Sequence, residues 1–271
     1  MHSEDPNLPP VLSSIPDEAT LREEYAQQAL AQRFRSVQPR ATIALIVVCA
    51  AVFGLEAMWA DMGQSNNLIN MGAMKGEYVR QGEWWRLWAS TFLHIGPIHI
   101  GANMMVLWSL GRQMEALLGS RRFLILYALS GLAGGVACLL FMPNIILAGA
   151  SGAIWGLLGG ILGLTFRSAG LFTPAMAKRI RGRLVQPLAI NIAISFLPGI
   201  GWMAHLGGGL AGLALVASGV LGSALNDSDE NGRKPWSSQW VSWAAIGLCV
   251  AMGVSMVWAI LAGQPWNPAG N

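Results

Sequence analysis

The sequence predicts an all-α protein, a bundle of helices that crosses a membrane several times. Of its 271 residues, 54% are hydrophobic and only 11% are charged, whereas about 25% of residues are charged in a typical soluble domain. Glycine contributes 33 residues. The charged residues are separated by long uncharged stretches, each long enough for one or two helices of the about 20 apolar residues that span a bilayer. This composition excludes an ordinary water-soluble enzyme, a disordered chain and a nucleic-acid-binding protein.

Seven membrane spans are predicted from the uncharged stretches and apolar runs. Two stretches exceed 40 residues, and each has a helix breaker near its middle, at Met142-Pro143-Asn144 and at Pro198-Gly199, so each is divided into two spans. The fifth span is expected to be short. The predicted spans lie near residues 41–60, 87–111, 123–141, 146–166, 184–197, 202–224 and 239–262.

The basic residues predict the orientation of these spans, because cytoplasmic loops are enriched in Lys and Arg. With the N-terminus inside, all but three of the 17 basic residues are cytoplasmic, and only Lys75, Arg80 and Arg86 lie outside. The C-terminus is then outside. No pattern of a cleavable signal peptide is visible, so the first span is expected to direct insertion. Because no organellar leader is evident, we expect a bacterial inner membrane.

The chain is accordingly divided into three parts. Residues 1–40 form a polar cytoplasmic tail, 41–224 a core of six spans, and 225–271 a cytoplasmic loop, a seventh span and a short outer tail. From Glu18 to Phe34 the tail has a weakly apolar side. This pattern favours a solvated surface helix or disorder over a docking element.

Polar side chains from three spans are expected at similar depth near the outer face. Polar residues inside a membrane are costly and usually indicate function. Ser151 lies five residues into the predicted fourth span, roughly 7–8 Å deep at 1.5 Å per residue. His205 lies about one turn into the sixth span, and the second span carries His94, His99 and Asn103.

The types of these residues indicate nucleophilic chemistry. A serine hydroxyl is a weak nucleophile until a base removes its proton, and a neutral imidazole is the commonest such base. Ser151 and His205 form the candidate pair. His99 and Asn103 are four residues apart, on one helix face, where they can donate hydrogen bonds to an oxyanion, together with the Ser151 N–H.

No acid is placed to orient the histidine. Glu56 belongs to a different span without motif support, and Glu115 lies at the cytoplasmic end of the second span, at the wrong depth. We therefore predict a Ser-His dyad, one of the variant nucleophile–base arrangements.

Glycines accompany both members of the pair. They recur after Ser151, at Gly152 and Gly156, and after His205, at Gly208 and Gly212. Small residues four apart allow membrane helices to approach closely. The fourth and sixth spans are therefore expected to form a tight pair.

Four segments resemble the motifs of the rhomboid intramembrane serine proteases, over about residues 72–212. Glu83-Trp84-Trp85-Arg86-Leu87 resembles the Trp-Arg motif of the first outer loop, His99 to Asn103 the HxxxN element, Gly149-Ala150-Ser151-Gly152 the GxSG motif, and Ala204-His205 with Gly208 and Gly212 the AHxxGxxxG element. The last three motifs lie on the second, fourth and sixth predicted spans.

The resemblance implies a six-helix core with an extra seventh transmembrane helix, and cleavage of transmembrane segments of other membrane proteins near the outer face of the bilayer. No cofactor, metal or nucleic acid is implied. Arg86 and Glu115 resemble structural positions. Family members often carry Tyr or Phe where this chain has Trp155. The implied site comprises Ser151 as nucleophile, His205 as base, His99 and Asn103 at the oxyanion, and His94, Trp155 and Gly152 as cavity or support residues.

Alternative interpretations remain for the same residues. A serine in a membrane helix often only packs and bonds a carbonyl of its own helix, and His99 with Asn103 could form ordinary interhelical bonds. His94, His99 and His205 could together ligate a haem or a metal. The chain could also be a non-catalytic rhomboid-like protein that binds client helices, although such proteins characteristically lack the nucleophile or the base.

Overall fold

A computed structural model describes residues 17–59, 65–166, 172–197 and 199–221, and residue 247. Within these ranges the named elements are all helices, as the sequence predicts. Pro198 and, apart from residue 247, the predicted seventh span lie outside the described residues. The helices are α1 Glu18–Ser36, α2 Arg40–Trp59, α3 Ser65–Asn70, α4 Gly76–Arg80, α5 Arg86–Ala89, α6 Gly96–Leu118, α7 Ser120–Phe141, α8 Ser151–Leu164, α9 Pro174–Ser195 and α10 Trp202–Ala217.

The apolar helices of the described part differ in length. Two are long and apolar enough to cross a bilayer, Arg40–Met58 and Ser120–Phe141, and two shorter ones are Ser151–Leu164 and Trp202–Ala217. Helices α7, α8 and α10 pack against one another, and α2 packs beside them on α6. Their shared core includes the fully buried side chains of Phe123, Tyr127 and Leu157.

A buried carboxylate joins three helices at one end of the bundle. Glu115, near the end of α6, is fully buried. It accepts the backbone N–H groups of Ala41 and Thr42 at 2.9 Å each and the Thr42 hydroxyl at 2.8 Å, and the Ser120 hydroxyl donates to it at 2.6 Å. Since the first N–H groups of a helix have no partner within the helix, Glu115 caps α2 and complements its dipole. The expectation of a structural position fits this geometry.

A buried arginine organises the chain between α2 and α6. Arg86 donates from Nη1 to the carbonyls of Ile69, at 2.5 Å, and Ala73, at 3.1 Å, and it pairs with Glu83 at 2.7 Å. Its guanidinium also lies over the Tyr78 ring, 4.8 Å from the centroid. These contacts hold the short helices α3, α4 and α5 together.

Two helices begin later than the apolar stretches suggested. The second predicted span starts near residue 87, but α6 begins at Gly96, which has φ +81° and is followed by Pro97. Proline favours the first turn of a helix because it has no N–H to leave unpaired. The fourth predicted span starts near residue 146, but α8 begins at Ser151 itself. An apolar window cannot distinguish a helix from buried irregular chain.

Helix α9, which contains the predicted fifth span, is longer than that span. A short span near 184–197 is predicted, whereas α9 has 22 residues, Pro174–Ser195, with Pro187 inside it. The Thr173 hydroxyl caps the helix by accepting the N–H of Met176 at 3.2 Å. Hydropathy missed the first half because it carries four basic residues, Lys178, Arg179, Arg181 and Arg183. The helix therefore extends beyond the apolar stretch that was predicted as the fifth span.

The N-terminal helix α1 is a surface helix with two polar contacts to the bundle, and its Leu30 packs against the core. It has no buried residue, in agreement with a solvated helix. Arg33 nevertheless donates to the Ala116 carbonyl at 2.5 Å, and Glu23 pairs with Arg179 of α9 at 2.6 Å. The tail therefore touches α6 and α9, which the sequence did not indicate.

We expect Glu115→Ala to lower the free energy of unfolding by about 3 kcal/mol, because it leaves several buried donors without an acceptor. Thermal unfolding in detergent micelles would measure the loss. Gln113→Ala is the control, since this side chain bonds only the Ser109 carbonyl of the same helix. Equal stability of the two variants would contradict the capping role.

Candidate active site

Ser151 is the first residue of α8. The preceding segment is held by two backbone contacts: Leu147 exchanges hydrogen bonds with Met74 at 2.8 and 3.0 Å, and the Gly149 N–H donates to the Ser90 carbonyl at 2.8 Å. Gly149 has φ +138°, a conformation that L side chains rarely adopt. Ser151 therefore lies at a helix N-terminus, where the first backbone N–H groups have no acceptor within the helix.

His205 lies opposite Ser151 and contacts it. It is the fourth residue of α10, as the predicted depth of one turn required. Its Nε2 lies 2.9 Å from the Ser151 Oγ. Trp155, one turn after Ser151, stacks on the imidazole with 5.4 Å between ring centroids and 13° between planes. The structure thus brings together the three residues that the sequence assigned to nucleophile, base and ring support.

Glycines set the distance between the two helices. A Cβ built on Gly208 would overlap the Gly152 carbonyl, and one on Gly212 would overlap the Gly156 carbonyl. A Cβ on Gly152 itself would lie 3.3 Å from the Ala204 carbonyl oxygen. Helices α8 and α10 therefore touch backbone to backbone beside the Ser151–His205 pair, as expected for the fourth and sixth spans.

His99 and Asn103 lie against the chain just before Ser151. A Cβ on Gly149 would meet His99 Nε2 at 2.9 Å and Asn103 Nδ2 at 3.5 Å. The Ile95 N–H donates to His99 Nδ1 at 3.2 Å, which orients that ring. Asn103 is buried, and within the described residues its Nδ2 has no hydrogen-bond partner. A buried donor without an acceptor is costly and is available to a ligand.

His94 lies beside His99 and is nearly inaccessible to solvent. The two rings meet edge to face at 5.3 Å between centroids. His94 Nδ1 is 3.2 Å from the Phe92 carbonyl, and its backbone N–H donates to the Glu56 carboxylate at 3.2 Å. Glu56 therefore holds the backbone before α6. Within the described residues, no group of three or more His, Cys, Asp or Glu residues is arranged to hold a metal ion.

The sequence did not indicate one further contact of the site. Ser195, the last residue of α9, is buried, and its Oγ lies 2.6 Å from His205 Nδ1. A lone serine in an apolar stretch gives no sequence signal, because such serines usually bond only their own helix. The rotation of α9 that brings it to His205 is not encoded in any local motif.

The described helices and site define a class of protein: a polytopic α-helical membrane protein in which a serine at one helix start faces a histidine on a neighbouring helix. The family model of the Rhomboid domain matches residues 81–222. The chain belongs to the rhomboid family, and it is an integral membrane protein.

Several proteins of this family are similar to the chain. Rhomboid protease GluP of Bacillus subtilis is 32% identical over 208 residues, which cover 76% of this chain and 41% of that protein. Putative rhomboid protease YdcA of the same organism is 33% identical over 68% of this chain and 90% of its own length. RHOMBOID-like protein 4 of Arabidopsis thaliana is 36% identical over 56% of this chain and 38% of its length. The chain thus spans less than half of the first and third relatives.

A larger distance between α8 and α10 should move Ser151 away from His205. In Gly208→Ala the new methyl group meets the Gly152 carbonyl, so we expect a loss of about 1–3 kcal/mol in stability and a longer Ser151–His205 distance. Labelling of Ser151 by a fluorophosphonate probe should fall about 2- to 12-fold, as the loss of one hydrogen bond implies.

The matched control is Gly54→Ala, because a Cβ at Gly54 in α2 has no neighbour within 4 Å. It should unfold and label like the unsubstituted protein. If Gly208→Ala behaved in the same way, close helix contact would not set the geometry of the pair.

Proposed function

We propose that this protein is an intramembrane serine endopeptidase that cleaves transmembrane segments of other membrane proteins near the outer face of the bilayer. The observation that carries the proposal is the 2.9 Å contact between Ser151 Oγ and His205 Nε2, two residues on different helices. The relatives named rhomboid protease support it.

The reaction follows from this contact. The Ser151 oxygen attacks the scissile carbonyl while His205 Nε2 takes the hydroxyl proton. His205 then gives that proton to the leaving amine as the peptide C–N bond breaks, which leaves an acyl group on Ser151. A water molecule, deprotonated by the same nitrogen, attacks the ester and releases the new carboxyl end.

The oxyanion of each tetrahedral intermediate needs donors that are already in place. Asn103 Nδ2, which is buried and has no partner within the described residues, supplies one, and His99 Nε2 beside Gly149 supplies another. The Ser151 N–H is a third, since the first amides of α8 have no intrahelical acceptor and lie at the positive end of the helix dipole. His94, whose ring meets that of His99 edge to face, supports this polar side of the site.

Substrate reaches the pair beside α9. Of the 22 residues of this helix, only Met176, Ala177 and Ser195 are buried. The side chains that follow it, Phe196 and Leu197, are 66% and 56% exposed. Helix α9 with the loop to α10 is therefore the candidate gate. Because a helix hides its carbonyls in hydrogen bonds, the substrate must unwind locally, which favours small or helix-breaking residues at the cleavage site.

The same proposal places the protein in a bacterial plasma membrane, with the N-terminus in the cytoplasm and the C-terminus outside. The positive-inside distribution supports this orientation. The two Bacillus subtilis relatives, which match 76% and 68% of the chain, support the bacterial setting.

Replacement of the nucleophile tests the reaction. The unsubstituted protein should cleave a reconstituted single-span membrane substrate, whereas Ser151→Ala and His205→Ala should lose cleavage and fluorophosphonate labelling. Ser130→Ala is the control, because Ser130 of α7 is buried and its hydroxyl has no partner in the described residues.

The two readouts separate the competing functions. Cleavage by Ser151→Ala at the rate of the unsubstituted protein would exclude Ser151 as nucleophile. Absence of both cleavage and labelling in the unsubstituted protein would instead favour a non-catalytic protein that binds client helices.

A graded effect is expected at the oxyanion site. Asn103→Ala should lower kcat by about 100-fold or less with little change in KM, because three donors share the charge and act mainly in the transition state. Steady-state cleavage would measure both constants, with the exposed Asn144→Ala as control. An unchanged kcat would remove Asn103 from the oxyanion site.

A further inference from the structure

Both ring nitrogens of His205 have a partner, and the two partners come from different helices. Nε2 faces Ser151 Oγ at 2.9 Å, and Nδ1 faces Ser195 Oγ at 2.6 Å. Ser195 is 5% exposed. Its Oγ also lies 2.7 Å from the carbonyl oxygen of Asn191, one turn earlier in α9.

Counting protons assigns the direction of these bonds. A serine hydroxyl has one proton, and a carbonyl oxygen can only accept. The Ser195 hydroxyl therefore donates its hydrogen bond to the Asn191 carbonyl, and the Ser195 oxygen is left to accept from an N–H on His205 Nδ1. If Ser195 donated to Nδ1 instead, its oxygen lone pairs would face the carbonyl oxygen at 2.7 Å.

The tautomer that results is the one a general base requires. With the proton on Nδ1, the lone pair of Nε2 points at the Ser151 hydroxyl and can take its proton. The opposite tautomer would present an N–H to Ser151 and could not act as base. In triads a carboxylate holds the same Nδ1–H, and the wrong tautomer there severely lowers kcat.

We propose that Ser195 is a positioning residue that fixes His205 in the tautomer with the proton on Nδ1. The effect of this tautomer on catalysis rests on the proposed function, whereas the tautomer itself can be observed without turnover. A neutral hydroxyl suits this place better than a carboxylate, because burying an unpaired charge is far more costly than burying a hydrogen-bonded hydroxyl. The carboxyl groups Glu56 and Glu115 bond backbone groups elsewhere.

The Ser195–His205 contact also links α9 to the Ser151–His205 pair. Near the outer end of α9 the one buried residue is Ser195, while Met176 and Ala177 are buried near its start. Asn191, whose carbonyl accepts the hydrogen bond from the Ser195 hydroxyl, belongs to α9 as well. The orientation of His205 therefore depends on where α9 lies.

A pair of nearly isosteric substitutions isolates the hydroxyl. Ser195→Thr keeps it and Ser195→Val replaces it with a methyl group, so both variants add similar volume. Thr165→Val is the matched control, because the Thr165 hydroxyl makes the same kind of bond at the end of α8, to the Leu162 carbonyl at 2.7 Å, and no hydrogen bond from it to His205 is seen.

The first readout is the ¹⁵N NMR spectrum of histidine-labelled full-length protein in detergent, with His205 assigned by its loss in His205→Ala. The unsubstituted protein, Ser195→Thr and Thr165→Val should show a protonated Nδ1 and an unprotonated Nε2. Ser195→Val should shift toward the other tautomer. A protonated Nε2 in the unsubstituted protein, or identical spectra for Ser195→Val and Ser195→Thr, would overturn the assignment.

The second readout is turnover. Ser195→Val should lower kcat about tenfold, as expected for one lost hydrogen bond, with KM unchanged, and Ser195→Thr should recover most of the loss. Equal kcat for both variants would refute the positioning role. If the unsubstituted protein neither cleaves nor labels, the proposed function fails, and the NMR spectra alone decide the tautomer.

Discussion

The close approach of α8 and α10 is the constraint on which the rest of the site depends. Ser151 and His205 belong to different helices, so their separation is the separation of two backbones. Gly152 and Gly208 meet where a single added Cβ would overlap a carbonyl. In a bilayer there is little hydrophobic drive for helices to associate, and packing of small residues replaces it. The same glycines therefore allow the two helices to pack closely, and they bring the proposed nucleophile within hydrogen-bond distance of its base.

Elsewhere in the bundle, two buried charged side chains bond main-chain groups. Glu115 takes the free N–H groups that begin α2, and Arg86 gathers two carbonyls between α2 and α6. Both replace water as the partner of main-chain groups, which a membrane interior cannot leave unpaired. Helices α2, α6, α7, α8 and α10 pack against one another, whereas α9 has few buried residues.

Much of the fold and site follows from the sequence, and the failures have physical reasons. Uncharged stretches predicted the apolar helices, and the motifs predicted that Ser151 and His205 meet, because both depend on local composition and spacing. The start of α8 was missed because the chain before Ser151 is apolar yet irregular, held by the Gly149–Ser90 backbone bond. Ser195 was missed because its contact depends on the rotation of α9, and neither hydropathy nor a motif reports rotation.

The cap on α2 has a consequence for how the protein is made. The N–H of Ala41 finds its acceptor on Glu115, 74 residues later in the chain. At a synthesis rate of about 5–20 residues per second, that acceptor emerges roughly 4–15 s after its donor. During this interval the first N–H groups of α2 cannot bond Glu115. The cap of α2 therefore forms only after α6 has been synthesised, and it couples the start of α2 to the end of α6.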